Sequence, residues 1–280
     1  MKIGYNTNGF LFHRLFEALE LIAEKGFEVV ALSVDIPHID PFNISNRDIE
    51  KIGSKLDNLG LIPILETGGR FVLDPKRKHR PNLIEKRRED REKRIGYLKR
   101  CIDIAEMVGA RTVVFFSGVL PDGVSKEQAK RFLEQGIFLL HEYAKGKNVR
   151  LALEPEPGHL IERINDFKSL SKQIQGVDLG LCMDIGHIEV LGEGNIKKNL
   201  NGLSINRILQ VHIEDAVFGK HIHLEPGEGN IDFLEVFKEL KEVGYSGPVC
   251  WELSRSCHNA PDAMNLAWDV WEKIKKKLNL

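Results

Sequence analysis

An alternation sets the strongest limit on how this chain can fold. Short apolar runs and longer amphipathic stretches follow one another eight times along 280 residues. KIGYNT is followed by HRLFEALELIAEKG, and FEVVALSVD by SNRDIEKIGSKLDNLG. LIPILETGG is followed at some distance by REKRIGYLKRCIDIAEMVGA, and RTVVFFSG by SKEQAKRFLEQGIFLLHEYAKG. VRLALEPE leads to NDFKSLSKQIQG, and LGLCMDIGH to a weak short helix near NIKKNLNGL. RILQVHIED with DFLEVFKELKEVG, then PVCWELS with PDAMNLAWDVWEKIKKKL, complete the series. Continuous apolar runs of this length read as strands buried on both faces. The stretches between them carry apolar residues at helical spacing, as Leu15, Leu19 and Ile22 do, or Phe233, Val236, Phe237 and Leu240. Gly26, Gly60, Gly109, Gly176 and Gly244 stand where helices would stop in a left-handed cap. Ser125 with Gln128 reads as a capping box.

Eight such α/β units in this length close most economically into one (β/α)8 TIM barrel, a single domain over residues 1–280. An open doubly wound sheet is the competing arrangement, and the absence of G-x-G-x-x-G after the first strand weakens its dinucleotide-binding form. One segment breaks the rhythm. RFVLDPKRKHRPNLIEKRRED makes a long basic loop after strand three, within residues 70–94. Connections of this length in compact domains are often functional, and on a barrel this one emerges at the catalytic face.

With 40 basic and 41 acidic residues the net charge is -1, so any anion site must be local. A nucleic-acid partner is not expected without a basic footprint. No signal peptide and no membrane-spanning run are read in the chain. Cys101, Cys182, Cys250 and Cys257 form no C-x-x-C pair and read as reduced thiols of a cytoplasmic protein.

Ionisable residues stand at the C-terminal ends of the expected strands, where a barrel places its functional groups. Glu66 ends strand three, Glu154 strand five, Asp184 and His187 strand six, His212 strand seven and Glu252 strand eight. Any one of these alone is more often a cap, an ion pair or a structural histidine. Converging on one mouth, Glu154, Asp184 and Glu252 would repel one another unless a cation sat between them. Two Glu, one Asp and one His make a mostly oxygen ligand set, suited to Mn²⁺, Mg²⁺ or Co²⁺, and further imidazoles shift it toward Zn²⁺ or Fe²⁺.

LALEPEP, CMDIGH, VHIED and CWELS, with PGEGNIDF before GYSGPVCWE, resemble the xylose-isomerase-like TIM barrels, most strongly from Val149 to Ser254. That superfamily includes sugar and sugar-phosphate isomerases and epimerases, hydroxypyruvate isomerase and the zinc enzyme endonuclease IV. The resemblance implies one divalent metal, Mn²⁺ favoured, held by Glu154, Asp184, His212 and Glu252. It makes Glu154 and Glu252 the acid/base pair and His187 a substrate contact. Two departures stand out. Ala216, Val217 and Phe218 occupy the region where the epimerases usually carry an Arg. The stretch HIHLEPGEG adds His221 and His223, which with His187 match a further metal site of endonuclease IV, His221 standing where that enzyme has an Asp. Phe116 and Ser117 stand where it places another His.

The resemblance implies a metal-dependent isomerase or epimerase of a sugar, sugar phosphate or keto acid, working through an enediolate. A lyase or dehydratase would use the same residues. A multinuclear-zinc phosphodiesterase resembling an AP endonuclease is the competing hydrolytic reading, and a non-enzymatic binder the third. Glu66, Glu156, Arg70, His187, His221 and His223 are the candidate substrate contacts or additional metal ligands. The loop residues Arg70, Lys76, Arg77, Lys78, His79 and Arg80 are set either to grip an anionic substrate group or to lie in water. Arg87, Arg88, Arg91 and Arg94, alternating with Glu, read as a solvated helix face. Trp268 and Trp271 read as helix-packing residues, and a homo-oligomer stays open.

Overall fold

The computed structural model describes residues 1–280. Its strands are β1 (Lys2–Asn6), β2 (Val29–Ser33), β3 (Ile62–Glu66), β4 (Thr112–Phe116), β5 (Arg150–Glu154), β6 (Leu179–Asp184), β7 (Ile208–Ile213), β8 (Asp215–Val217), β9 (Lys220–Leu224) and β10 (Pro248–Trp251). Its α-helices are α1 (Leu15–Lys25), α2 (Asn46–Leu59), α3 (Arg88–Val108), α4 (Lys126–Ala144), α5 (Ile164–Gln173), α6 (Ile185–Leu191), α7 (Ile196–Leu200), α8 (Phe233–Glu242) and α9 (Ala260–Leu278). β1 to β7 and β10 close into one parallel barrel, in the order β1-β10-β7-β6-β5-β4-β3-β2. This is the (β/α)8 barrel of the alternation, and the open sheet does not form.

Local chemistry ends three helices at the expected glycines, whereas Ile174 caps α5 two residues before Gly176 and Val243 caps α8 one residue before Gly244. Gly26, Gly60 and Gly109 cap α1, α2 and α3 at φ of 107°, 67° and 78°, a region closed to most side-chain-bearing residues. Ser125 and Gln128 exchange the two bonds of a capping box at the start of α4. Trp271 is buried, and Trp268 packs edge-on against Phe27.

The barrel interior holds a small cluster of its own: Val29, Ala31, Ile64, Val114, Ala152, Cys182 and Cys250. Side chains on a strand return to the same face every second residue. Two residues beyond these positions stand Ala31, Ser33, Glu66, Phe116, Glu154, Asp184 and Glu252. Asn6 and His212 stand in the same relation to Gly4 and Gln210 on β1 and β7. The polar layer at the mouth therefore rests on a plug that is apolar except for the buried Gln210. In β6 the pairing register with β7 shifts between Leu181 and Cys182, which brings Asp184 level with His212.

The His-rich stretch forms an antiparallel hairpin, β8 paired with β9. Two expectations need correction. His187 does not end strand six: β6 stops at Asp184, whose side chain caps α6, and His187 rides on that helix. Arg94 does not face water. It is 1% exposed, lies between the rings of Tyr97 and Phe116, and donates from Nη2 to the Thr67 carbonyl at 3.1 Å. Residues 67–87 contain neither helix nor strand. Their basic side chains fasten the segment: Arg70 to Asp35 at 3.0 Å, Arg77 to Asp74 at 2.6 Å and Arg80 to Glu85 at 3.0 Å.

A Cβ on Gly4 would meet Cys250 Sγ at 2.6 Å and the Val29 carbonyl oxygen at 2.7 Å. The plug is therefore full. Gly4→Ala is expected to cost about 1–3 kcal/mol in chemical denaturation, the usual penalty for overpacking. A loss under about 0.5 kcal/mol, the range of ordinary surface changes, would mean that the interior has spare room.

Candidate functional site

His212, on β7, is the centre of the polar layer and is 1% exposed. Its Nδ1 lies 2.8 Å from Glu154 Oε1, 3.0 Å from Glu252 Oε2 and 3.8 Å from Asp184 Oδ2. Its Nε2 lies 2.9 Å from Glu66 Oε1. Ligand-type atoms of Glu154, Asp184, His212 and Glu252 all fall within 4.8 Å of one another. Asn8 donates to the other oxygen of Glu252 at 2.7 Å. Asp184 is engaged through one oxygen only: Oδ1 accepts the backbone N–H of His187 at 2.8 Å, while Oδ2 is buried without a hydrogen-bond partner. An orphaned carboxylate oxygen beside two more carboxylates and an imidazole is the arrangement a divalent cation would satisfy.

A second group adjoins the first. Ligand-type atoms of His187, His221 and His223 also lie within 4.8 Å of one another. His187 Nδ1 donates to the Pro155 carbonyl at 3.0 Å, which leaves Nε2 facing His221 Nε2 at 3.0 Å. His221 and His223 come from β9, so the hairpin is what brings them over α6. Glu156 lies 3.8 Å from His221 Nε2, and it forms a further possible ligand group with Glu154 and His187.

Glu214 escaped the sequence reading. It is 2% exposed, lies 3.3 Å from His223 Nδ1 and shares a possible ligand group with Asp184 and His187. Two residues beyond His212, it has the same inward parity, and that periodicity was the clue available. Gly186 makes its room, since a Cβ there would lie 2.0 Å from Glu214 Oε1. Asp215 explains the Pro-Gly-Glu-Gly turn. Its carboxylate accepts from the backbone N–H groups of Ala216, Gly227 and Ile231, at 2.9, 2.8 and 3.1 Å, and pins that turn beneath the hairpin.

Glu66, Glu154, Glu156, His187, His221, His223 and Glu252 open into a cavity of about 460 Å³, lined almost wholly by polar side chains. Arg70 lines it but is already paired with Asp35. Lys78 and His79 of the basic loop line it too, whereas Lys76, Arg77 and Arg80 do not. Arg255 supplies a further cation from the loop after β10. His79 takes a left-handed φ of 61° and anchors Nδ1 on the Gly68 carbonyl at 2.8 Å. A non-glycine residue held there is a feature concentrated at functional sites.

Burial and crowding set the charges. Burial pushes the Glu154 carboxyl up to about 8, against the pull of His212. Burial also raises Glu156, with Glu154 adding to it, and Glu214, with Asp184 adding to it. For Asp184 and Glu252 burial acts upward but the nearby imidazoles outweigh it, so both stay ionised well into acid. Burial alone would lower His212, yet Cys182 and the surrounding carboxylates raise it well above its usual range. Burial lowers His187, and it takes His221 down to about 4, with the neighbouring imidazoles adding to it.

A (β/α)8 barrel with a carboxylate–imidazole cluster at its C-terminal mouth defines a class of protein. Within that class, the family model for the xylose isomerase-like TIM barrel matches residues 19–274, and the chain belongs to that family. L-ribulose-5-phosphate 3-epimerase UlaE of Shigella flexneri is 27% identical over 92% of this chain and 89% of its own length. Among solved structures, a D-tagatose 3-epimerase-like protein superposes with a TM-score of 0.78 at 22% identity, covering 99% of this chain and all of that one. The IOLI protein, crystallised with a zinc atom, gives a TM-score of 0.79 at 21% identity over 99% of both chains. No helix here is long and apolar enough to cross a membrane.

The charge states predict how the metal-free chain responds to pH. Glu154 binds its proton in the folded state far above its ordinary value near 4.5, so folding stability falls as pH rises from about 5 to about 8. Glu156 and Glu214 act in the same direction. His212 adds stability that is complete below its unfolded value and lost as pH rises through its higher folded value. Asp184 and Glu252 act oppositely, but only in acid. The melting temperature of EDTA-treated protein is therefore expected to drop between pH 6 and pH 9. A flat or rising profile would contradict these charge states.

Proposed function

We propose that this chain is a divalent-metal-dependent isomerase or epimerase of a small sugar, sugar phosphate or keto acid. The observation that carries the reading is the close approach of Glu154, Glu252 and the orphaned Asp184 Oδ2 to one nitrogen of His212. Glu154, Asp184, His212 and Glu252 would hold the ion, and the oxygen-rich set favours Mn²⁺ over Zn²⁺, Co²⁺, Fe²⁺ or Mg²⁺. A bound divalent ion supplies Lewis acidity, making the hydrogen next to a carbonyl easier to remove and steadying the enediolate charge.

The chain's own groups do the rest. Glu154 on β5 and Glu252 after β10 approach from different sides of the mouth. One carboxylate takes the C–H proton and the other returns a proton on the opposite face, which inverts the carbon. His187, held at Nδ1 by the Pro155 carbonyl and kept neutral by burial, lines the cavity with Nε2 facing His221 and would exchange that partner for a substrate hydroxyl. Glu156 and the uncommitted Lys78 and Arg255 bracket the rest of the substrate. The epimerase names carried by UlaE and the D-tagatose 3-epimerase-like protein support this class of reaction. Elimination from the same enediolate, by a lyase or dehydratase, would need only a leaving group on the adjacent carbon.

A second reading, a multinuclear-zinc phosphodiesterase, has one observation in its favour: the His187, His221 and His223 group beside the first. It has less behind it, because Phe116 stands in the polar layer and Glu66 is engaged with His212.

Metal analysis after Mn²⁺ loading and desalting separates the readings. About one ion per chain is expected. Asp184→Asn, which keeps the cap on α6 but removes a charge, should lose it. Two or three zinc ions that depend on His221 and His223 would favour the phosphodiesterase, and no retained metal would overturn the proposal. A panel of ketoses, ketose phosphates and keto acids in D2O then reports proton transfer as deuterium uptake beside the carbonyl. Glu154→Gln should slow that uptake about 10²–10⁴-fold, the scale of a lost acid/base group. Unchanged uptake in the variant would remove Glu154 from the proton path.

A further inference from the structure

We propose that Glu66 is a positioning residue for the metal centre, fixing the tautomer and orientation of His212. This rests on the reading of Glu154, Asp184, His212 and Glu252 as the ion's ligands. The His212 ring spans the barrel mouth. Along one edge Nδ1 faces Glu154 at 2.8 Å, Glu252 at 3.0 Å and Asp184 at 3.8 Å. At the other edge Nε2 meets Glu66 Oε1 at 2.9 Å. An imidazole binds a cation through an unprotonated nitrogen, and the neutral ring then carries its proton on the other one. An ionised carboxylate accepts and cannot donate. With the ion bound, Glu66 as the acceptor would therefore keep the proton on Nε2 and turn the Nδ1 lone pair toward the ion among the three carboxylates.

Glu66 is not placed to be a ligand itself. The possible ligand groups at the mouth include Glu154, Asp184, His212 and Glu252, and Glu66 joins none of them. It is 7% exposed, and its backbone is fixed by pairing with Ser33 on β2 and Val114 on β4. Cys182 Sγ supports the ring but lies 3.7 Å from both nitrogens, so it cannot choose between them. With the other three carboxylates gathered at Nδ1, Glu66 is the acceptor at Nε2.

The test compares full-length wild type, Glu66→Gln and Glu66→Leu, each stripped with EDTA and titrated with Mn²⁺. Glu66→Leu is expected to weaken Mn²⁺ binding about 10- to 100-fold, the usual effect of losing such a supporting group, at unchanged stoichiometry. Glu66→Gln keeps an acceptor oxygen at Nε2 and is expected to recover most of that affinity. The melting temperature of each metal-free variant reports folding separately. Unchanged affinity in Glu66→Leu overturns the proposal. Equal losses in both variants also overturn it, because they would make Glu66 a ligand. If Glu66→Leu does not fold, wild-type protein labelled with ¹⁵N-histidine and loaded with Zn²⁺ decides. His212 should then show a protonated Nε2 and a metal-bound Nδ1, and the reverse assignment overturns the proposal. Wild type that binds neither ion overturns the isomerase reading along with this one, which separates the two failures.

Discussion

Glu66, Glu154, Asp184 and Glu252 crowd around one buried imidazole at the floor of the cavity. Four ionised carboxylates there would be far too costly without compensation. In the metal-free chain the compensation is a charged His212 together with a Glu154 that holds its proton. A divalent cation would replace that arrangement and restore the ionised forms. On the proposed reading the site is a charge balance with two solutions, and the surrounding structure keeps the groups close enough for either one.

The barrel enforces that closeness from below. The small side chains of the interior plug leave no room for the layer above to sink, and the pairing of β6 with β7 sets Asp184 beside His212. The loops enforce it from the side. Asp184 caps α6 and so carries His187 into the mouth, Gly186 yields space to Glu214, and Asp215 ties down the turn that follows β9. Much of the charge on the long loop is spent on its own shape, through the pairs at Arg70, Arg77 and Arg80. Lys78 and His79 are the part of that basic run delivered to the cavity.

Much of this was legible in the order of residues. Buried parallel strands must be apolar along their length and helices must be apolar on one side, so the eightfold alternation pointed to the closed barrel. The same logic put Glu154, Asp184, His212 and Glu252 at one end of the barrel, because each stands directly after a buried run and parallel strands bring those ends together. Less legible were features that depend on two distant segments at once. Arg94 sits among charges in the sequence, yet the Thr67 carbonyl and the rings of Tyr97 and Phe116 take it out of water. Glu214 was hidden by its neighbours, and only the space over Gly186 makes its inward position visible.

By itself, then, the sequence determined the barrel and the strands whose ends carry the clustered ionisable groups. These follow from local periodicity and from the cost of burying charge, which any single segment expresses. Tertiary structure alone decided the partnerships: Glu66 with Nε2 of His212 and the other carboxylates with Nδ1, the hairpin that sets His221 against His187, and Arg70 committed to Asp35. Glu66 and His212 lie 146 residues apart along the chain. No local pattern specifies a contact of that separation, because it exists only once the sheet has closed.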